Sequence, residues 1–118
     1  MDLKFVSATK PQTVPIAVQR RQRLVRRIDQ QIGYVRQMID GESPRASWVW
    51  MDEEGKYYVP IKYGRHTIEL KKGMFAILCQ NLDEVEHAFC TIRAMVFKGD
   101  LDDQINKAAT SIRSAFKG

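Results

Sequence analysis

The chain has 118 residues, 44% hydrophobic and 28% charged, with a net charge of +5. That length fits one domain with a modest core, and the composition is that of an ordinary globular protein. No apolar run approaches the roughly 20 residues that span a bilayer, and the opening MDLKFVSATK lacks the apolar centre of a secretory signal. The expectation is a cytoplasmic protein without membrane contact.

The charge is unevenly placed. Residues 1–45 hold nine Lys and Arg against four Asp and Glu. Residues 46–73 hold five against four, and residues 74–118 hold five against six. The basic excess therefore sits in the N-terminal part, where it would attract a polyanion or an acidic protein face.

Leu3, Phe5 and Val6 are read as a short opening strand, and Thr9 to Pro15 as a linker broken by Pro11. A long helix is expected over 13–40, with Thr13 as N-cap and Pro15 in the first turn. Its apolar stripe is Leu24, Ile28, Ile32, Val35 and Ile39, and Asp40-Gly41 ends it. At about 100° per residue, Arg20, Arg23 and Arg27 share one flank of that stripe, while Arg26 lies opposite the core side. Arg21 points near the apolar direction, which requires either an unburied helix there or an ion partner. Two readings of the arginines compete: a rail for phosphates, which suits the guanidinium fork, or a solvated face paired to acidic helices downstream.

Residues 46–80 read as a sheet of consecutive hairpins, separated by Asp52-Glu53-Glu54-Gly55, Gly64-Arg65 and Lys72-Gly73, where glycine supplies positive φ. Alternation puts Trp48 and Trp50 on one face, and Tyr57, Val59, Ile61 and Tyr63 on one face. Pro60 lacks a ladder donor, so it belongs at an edge or a bulge. Met74 to Cys79 is apolar at every position and reads as a strand buried on both faces. The tail 81–117 is helical. Asn81 caps its first helix with Glu84 in the capping-box position, over the stripe Leu82, Val85, Phe89, Ile92 and Val96, and Gly99 closes it. Asp100 is expected to cap the last helix, with the stripe Leu101, Ile105, Ala108, Ile112 and Phe116. The fold class is α+β: a long N-terminal helix, four antiparallel strands (five if residues 3–6 pair), and two C-terminal helices in a single domain. The surplus of amphipathic helix surface makes a homodimer the expected state.

Chemistry is sparse. His66 and His87 have no companions at metal-ligand spacing, and no glycine-rich phosphate loop is present. Cys79 and Cys90 read as small buried residues in a reducing compartment. Neither catalysis nor a metal or cofactor is expected. What remains is the aromatic sheet. Trp48, Trp50, Tyr57, Tyr58 and Tyr63 interleave with Lys56, Lys62, Arg65, Lys71 and Lys72, as in proteins that stack single-stranded bases beside cations. The competing reading makes these aromatics the core of the sheet.

Three segments carry a resemblance: QRRQRLVRRIDQQI (19–32), GKYYVPIKYGRHTIELKKGMFAI (55–77) and GDLDDQINKAATSIRSAFKG (99–118). With the W-x-W at 48–50, they resemble small uncharacterised proteins of bacteriophages and prophages of Gram-negative bacteria. The resemblance implies a bacterial host cytoplasm and brings no activity with it. Relatives of that kind carry a longer basic insertion where this chain has only GESPRAS (41–47). More distantly, hairpin strands followed by a helix, with the K-Y-G-x-x-x-I-E-L run, are similar to single-stranded DNA binders of the Whirly and positive-cofactor-four type.

The function expected from the sequence is non-catalytic binding of single-stranded nucleic acid. Arg20, Arg23, Arg26 and Arg27 would hold phosphates; Trp48, Trp50, Lys62, Tyr63 and Arg65 would supply stacking and charge at the join with the sheet. The alternative is a phage-encoded interaction module whose arginines and W-x-W strand grip a host enzyme or defence protein.

Overall fold

The computed structural model describes residues 2–8 and 14–117, the stretch 112–117 by its backbone alone. In chain order the elements are α1 (Ile16–Ile39), β1 (Trp50–Met51), β2 (Tyr57–Pro60), β3 (Lys62–Tyr63), β4 (His66–Thr67), β5 (Ala76–Cys79), α2 (Leu82–Lys98) and α3 (Asp102–Lys117). No helix among the described residues is long and apolar enough to cross a membrane.

α1 forms where its 3.6-residue periodicity demands. Leu24, Ile28, Ile32 and Val35 are buried, while Ile39, the last residue of the helix, is exposed. The helix starts after Pro15; Thr13 and Pro11 lie outside the described residues. The expected opening strand is absent: residues 2–8 have no regular structure, and Leu3, Phe5 and Val6 are solvent-exposed. Alternation over four residues gives no strand when no ladder partner lies alongside.

The capping of α2 follows its sequence. Asn81 Oδ1 accepts from the Glu84 N–H at 2.9 Å, and Glu84 in turn accepts from the Gln80 N–H. Val85, Ala88, Phe89, Ile92 and Val96 are buried. Cys90 is exposed rather than packed, because it falls about 100° beyond Phe89 on the helix. Gly99 closes α2 in the left-handed conformation, φ 88°. α3 then begins at Asp102, two residues after the expected cap, with Leu101, Ile105 and Ala108 buried; the side chains of Ile112 and Phe116 lie outside the described set.

The expected four-stranded sheet is instead two sheets. One has three antiparallel strands in the order β1-β2-β5, and the other is the β3–β4 hairpin. The break comes at Pro60–Ile61. Pro60 pairs with Ala76 at the end of β2, beyond the reach of the two-residue β1, so its missing N–H costs no bond on that side. Ile61 then joins the hairpin, accepting from the Ile68 N–H at 2.7 Å. The inward alternation survives the break, since Val59, Ile61 and Tyr63 are all buried. β5 departs from expectation too. It lies at the sheet edge, with Met74, Phe75 and Leu78 exposed and only Cys79 fully buried. A run apolar at every position does not by itself distinguish a central strand from an uncovered edge.

α1 and α2 pack along one another over Phe89, which is fully buried. Ion pairs border that seam: Arg93 to Asp29 at 2.7 Å and Arg36 to Glu86 at 2.9 Å. Arg21, the arginine that pointed near the apolar side, bonds through Nε and Nη2 to both carboxylate oxygens of Asp102. Its guanidinium lies over Gly99, where a Cβ would stand only 2.6 Å from Nη2. The bidentate pair thus ties α1 to the first turn of α3.

Hydrogen bonding from Arg21 holds the Asp102 carboxyl below the usual aspartate range. A depressed folded-state pKa stabilises the fold above the unfolded value and ceases to do so as pH falls through the folded one. The Asp102→Asn variant should therefore be less stable than the parent at neutral pH. The difference should shrink as pH drops below about 3.9, a convergence that urea unfolding across pH 2–7 would measure.

Candidate nucleic-acid interface

α1 is 24 residues long, and its two flanks have different fates. The flank bearing Arg21, Asp29 and Arg36 is ion-paired, as described. The other carries Arg20, Arg23, Arg27, Gln30 and Tyr34 at spacings of three, four, three and four, one continuous line on the helix. From Arg20 to Tyr34 that line runs roughly 21 Å at 1.5 Å per residue.

Two grooves follow this flank. The first, of about 470 Å³, is lined by Arg20, Arg23 and Arg26, with Tyr63 and Ala109 of α3 opposite. The second, of about 410 Å³, is lined by Arg27, Gln30, Gln31 and Tyr34 on one side and by Trp48, Lys62, Gly64 and Arg65 on the other. Among the described residues, no Asp or Glu lines either groove. Among the described residues, none of Arg20, Arg23, Arg26, Arg27, Lys62 and Arg65 is in a salt bridge. Arg20 is tied to Asn106, and Arg27 donates to Gln30 Oε1 at 3.2 Å.

The far wall is built by the β3–β4 hairpin. Its two-residue loop is Gly64-Arg65, and Gly64 takes φ 62° at the first loop position, where a primed turn favours glycine. That turn leaves Lys62 half-buried at the wall and Arg65 exposed at the tip. α3 supports the hairpin from behind, with Lys107 3.7 Å from Glu69. Tyr63 is only 7% exposed, so it forms floor rather than a stacking surface.

Trp48 reaches the groove through a residue that the sequence reading passed over. Gln31 is 4% exposed and sits at i+7 from Leu24 and i+3 from Ile28, inside the apolar stripe. Its Nε2 donates to the Ala46 carbonyl at 3.0 Å, and its Oε1 accepts from the Trp48 N–H at 2.8 Å. One amide therefore clamps the segment leading into the sheet onto α1. The signal was available, because a glutamine at a core position of an amphipathic helix needs two partners.

The same clamp separates the two tryptophans. With its amide bound to Gln31, Trp48 lies outside the ladder, and β1 starts only at Trp50. The strand alternation that would have put both on one face does not extend that far. Trp48 is half-buried, its ring tilted 55° to Phe89 at 6.3 Å, with the remainder in the groove. Trp50 is on the outer side of the three-stranded sheet, stacked on Tyr58 at 4.1 Å and 10°, and lines neither groove. Its surroundings are acidic. Tyr58 donates to Asp52 Oδ2 at 3.0 Å, and Asp52 also accepts from the Lys56 N–H at 2.9 Å. The Lys56 backbone bond leads in holding the Asp52 carboxyl low, and the bond to Asp52 pushes the Tyr58 hydroxyl up.

Of the nine residues expected to bind nucleic acid, the structure gathers eight along the two grooves, Tyr63 as floor, and leaves Trp50 elsewhere. Tyr34, Gln30 and Gln31 join them. Among the described residues, no group of three or more His, Cys, Asp or Glu is placed to hold a metal ion. No protein-family model matches the chain, no curated protein matches it, and no solved structure matches it.

Replacing Gln31 with Ala removes two part-buried hydrogen bonds, each worth on the order of 0.5–1.5 kcal/mol. Urea unfolding should show a lower midpoint with an unchanged slope.

Proposed function

We propose that this protein is a non-catalytic binder of single-stranded nucleic acid, acting in the cytoplasm of a bacterial host as a phage-type component. The observation that carries the reading is the acid-free double groove along α1. It combines six cations that, among the described residues, are in no salt bridge, with Trp48 and Tyr34 among the lining of the second groove. Arg23, Arg26, Arg27, Lys62 and Arg65 would contact phosphates, since a guanidinium fork fits two phosphate oxygens and a lysine acts as a point charge. Trp48 and Tyr34 would offer stacking surface, worth roughly 1–3 kcal/mol per base. Aromatic faces beside cations favour a single strand, whose bases are free to stack, over a duplex, whose bases are not.

Fluorescence titration of a labelled oligonucleotide at several salt concentrations tests this. Binding should weaken with salt, and each phosphate contact removed should lower the slope of log K against log [salt] by about 0.7. The Arg27→Ala, Arg65→Ala double variant should therefore lose about 1.4 of slope while keeping its circular dichroism. In a Trp50→Phe background Trp48 is the sole tryptophan, so its emission should change as the strand binds. Absence of binding at low salt rules the reading out.

The alternative, a module that grips a host protein, draws on the Trp50–Tyr58 pair at the acidic end of the sheet. A host protein retained after nuclease treatment, together with no oligonucleotide binding, would favour it.

A further inference from the structure

We infer that β5 is the dimerisation edge of this protein, pairing antiparallel with β5 of a second copy to make one sheet of six strands. This inference is independent of what the groove binds.

The strand order β1-β2-β5 leaves two edges, and they are unequally protected. The β1 edge is followed by Asp52, Glu53 and Glu54, whose charge deters another strand. Among the described residues the β5 edge has no such guard. Residues 75–79, FAILC, contain no charge and no proline, and Phe75 and Leu78 are 46% and 52% exposed. Monomeric proteins blunt such edges with lysine, proline or a bulge; an uncharged, apolar edge left open is a pairing template.

Charge identifies the occupant as a second copy. The edge strand is preceded by Lys71 and Lys72, in the turn closed by Gly73, and followed by Asp83 and Glu84 in the first turn of α2. A two-fold axis normal to the sheet lays the start of one strand beside the end of the other. The basic entrance of each copy then faces the acidic exit of its partner at both ends, and the uncharged middle faces itself. The same axis keeps each face of the sheet on its own side. Leu78 therefore meets apolar neighbours, and the cross-strand row Trp50, Tyr58, Leu78 continues into the partner's row. Parallel pairing would oppose like charges at both ends.

Sedimentation velocity on the full chain should show a dimer that dissociates on dilution. Leu78→Lys leaves the core untouched, because Leu78 is exposed. It sets two cations across the axis and should yield a folded monomer at the same concentration, with unchanged circular dichroism. As a second, independent measurement, Leu78→Cys in a Cys90→Ser background should form an intermolecular disulfide with glutathione disulfide as oxidant, while Glu53→Cys in the same background should not. A monomeric parent protein overturns the inference. So does a dimer that survives Leu78→Lys, or one that fails to cross-link through position 78.

Discussion

The arrangement of this molecule depends on one side-chain amide. Gln31 holds both the carbonyl of Ala46 and the N–H of Trp48, and so fixes where the chain leaves α1 and enters the sheet. Because those two backbone groups are spent on the helix, the sheet begins late. β1 is two residues long, and the second half of β2 has a neighbour on one side only. That shortness is what tolerates Pro60 and lets the chain turn into a separate hairpin. The hairpin is the far wall of the groove. An interior hydrogen bond thus sets the position of surface cations several residues away.

Ion pairing does the complementary work. Four of the carboxylates are engaged by Arg21, Arg36, Arg93 and Lys107 at helix–helix and helix–hairpin contacts. Each pair is partly exposed and contributes little stability by itself. Its larger effect is on the field. Asp29, Glu86 and Asp102 are gathered on one side of α1, and the arginines on the other side are left without acidic neighbours along the grooves. A modest net charge becomes a one-signed strip through placement, not through quantity.

The helices were legible in the sequence because burial follows a period that sequence displays. Leu24, Ile28, Ile32 and Val35, and later Val85, Phe89, Ile92 and Val96, lie where the spacing puts them. Three further local features were legible for similar reasons: the Asn81–Glu84 cap, the Gly64 turn and the flank of Arg20, Arg23 and Arg27. The sheet was less so, because its pairing depends on contacts far apart in sequence. Nothing local shows that the amide of Trp48 is diverted, that Ile61 changes sheets, or that the all-apolar β5 lies at an edge. Of the candidate site, the cations were visible as a set. Their meeting across the groove was visible only once the hairpin had a place, and Trp50 was assigned by an alternation that Gln31 interrupts.

α1 can also be considered as a reading frame. Its core stripe, its paired flank and its acid-free flank are three lines on one cylinder, each about 100° of rotation per residue from confusion with the next. A substitution on one line leaves the others in place. A single-residue insertion or deletion between Leu24 and Arg27 would do something different. It would turn every later position by that angle, swing Arg27 out of the groove and carry Gln31 away from the segment it clamps. Length between those positions is therefore held as firmly as any side chain. Variation in this helix should be confined to substitutions, with changes of length appearing only beyond its ends.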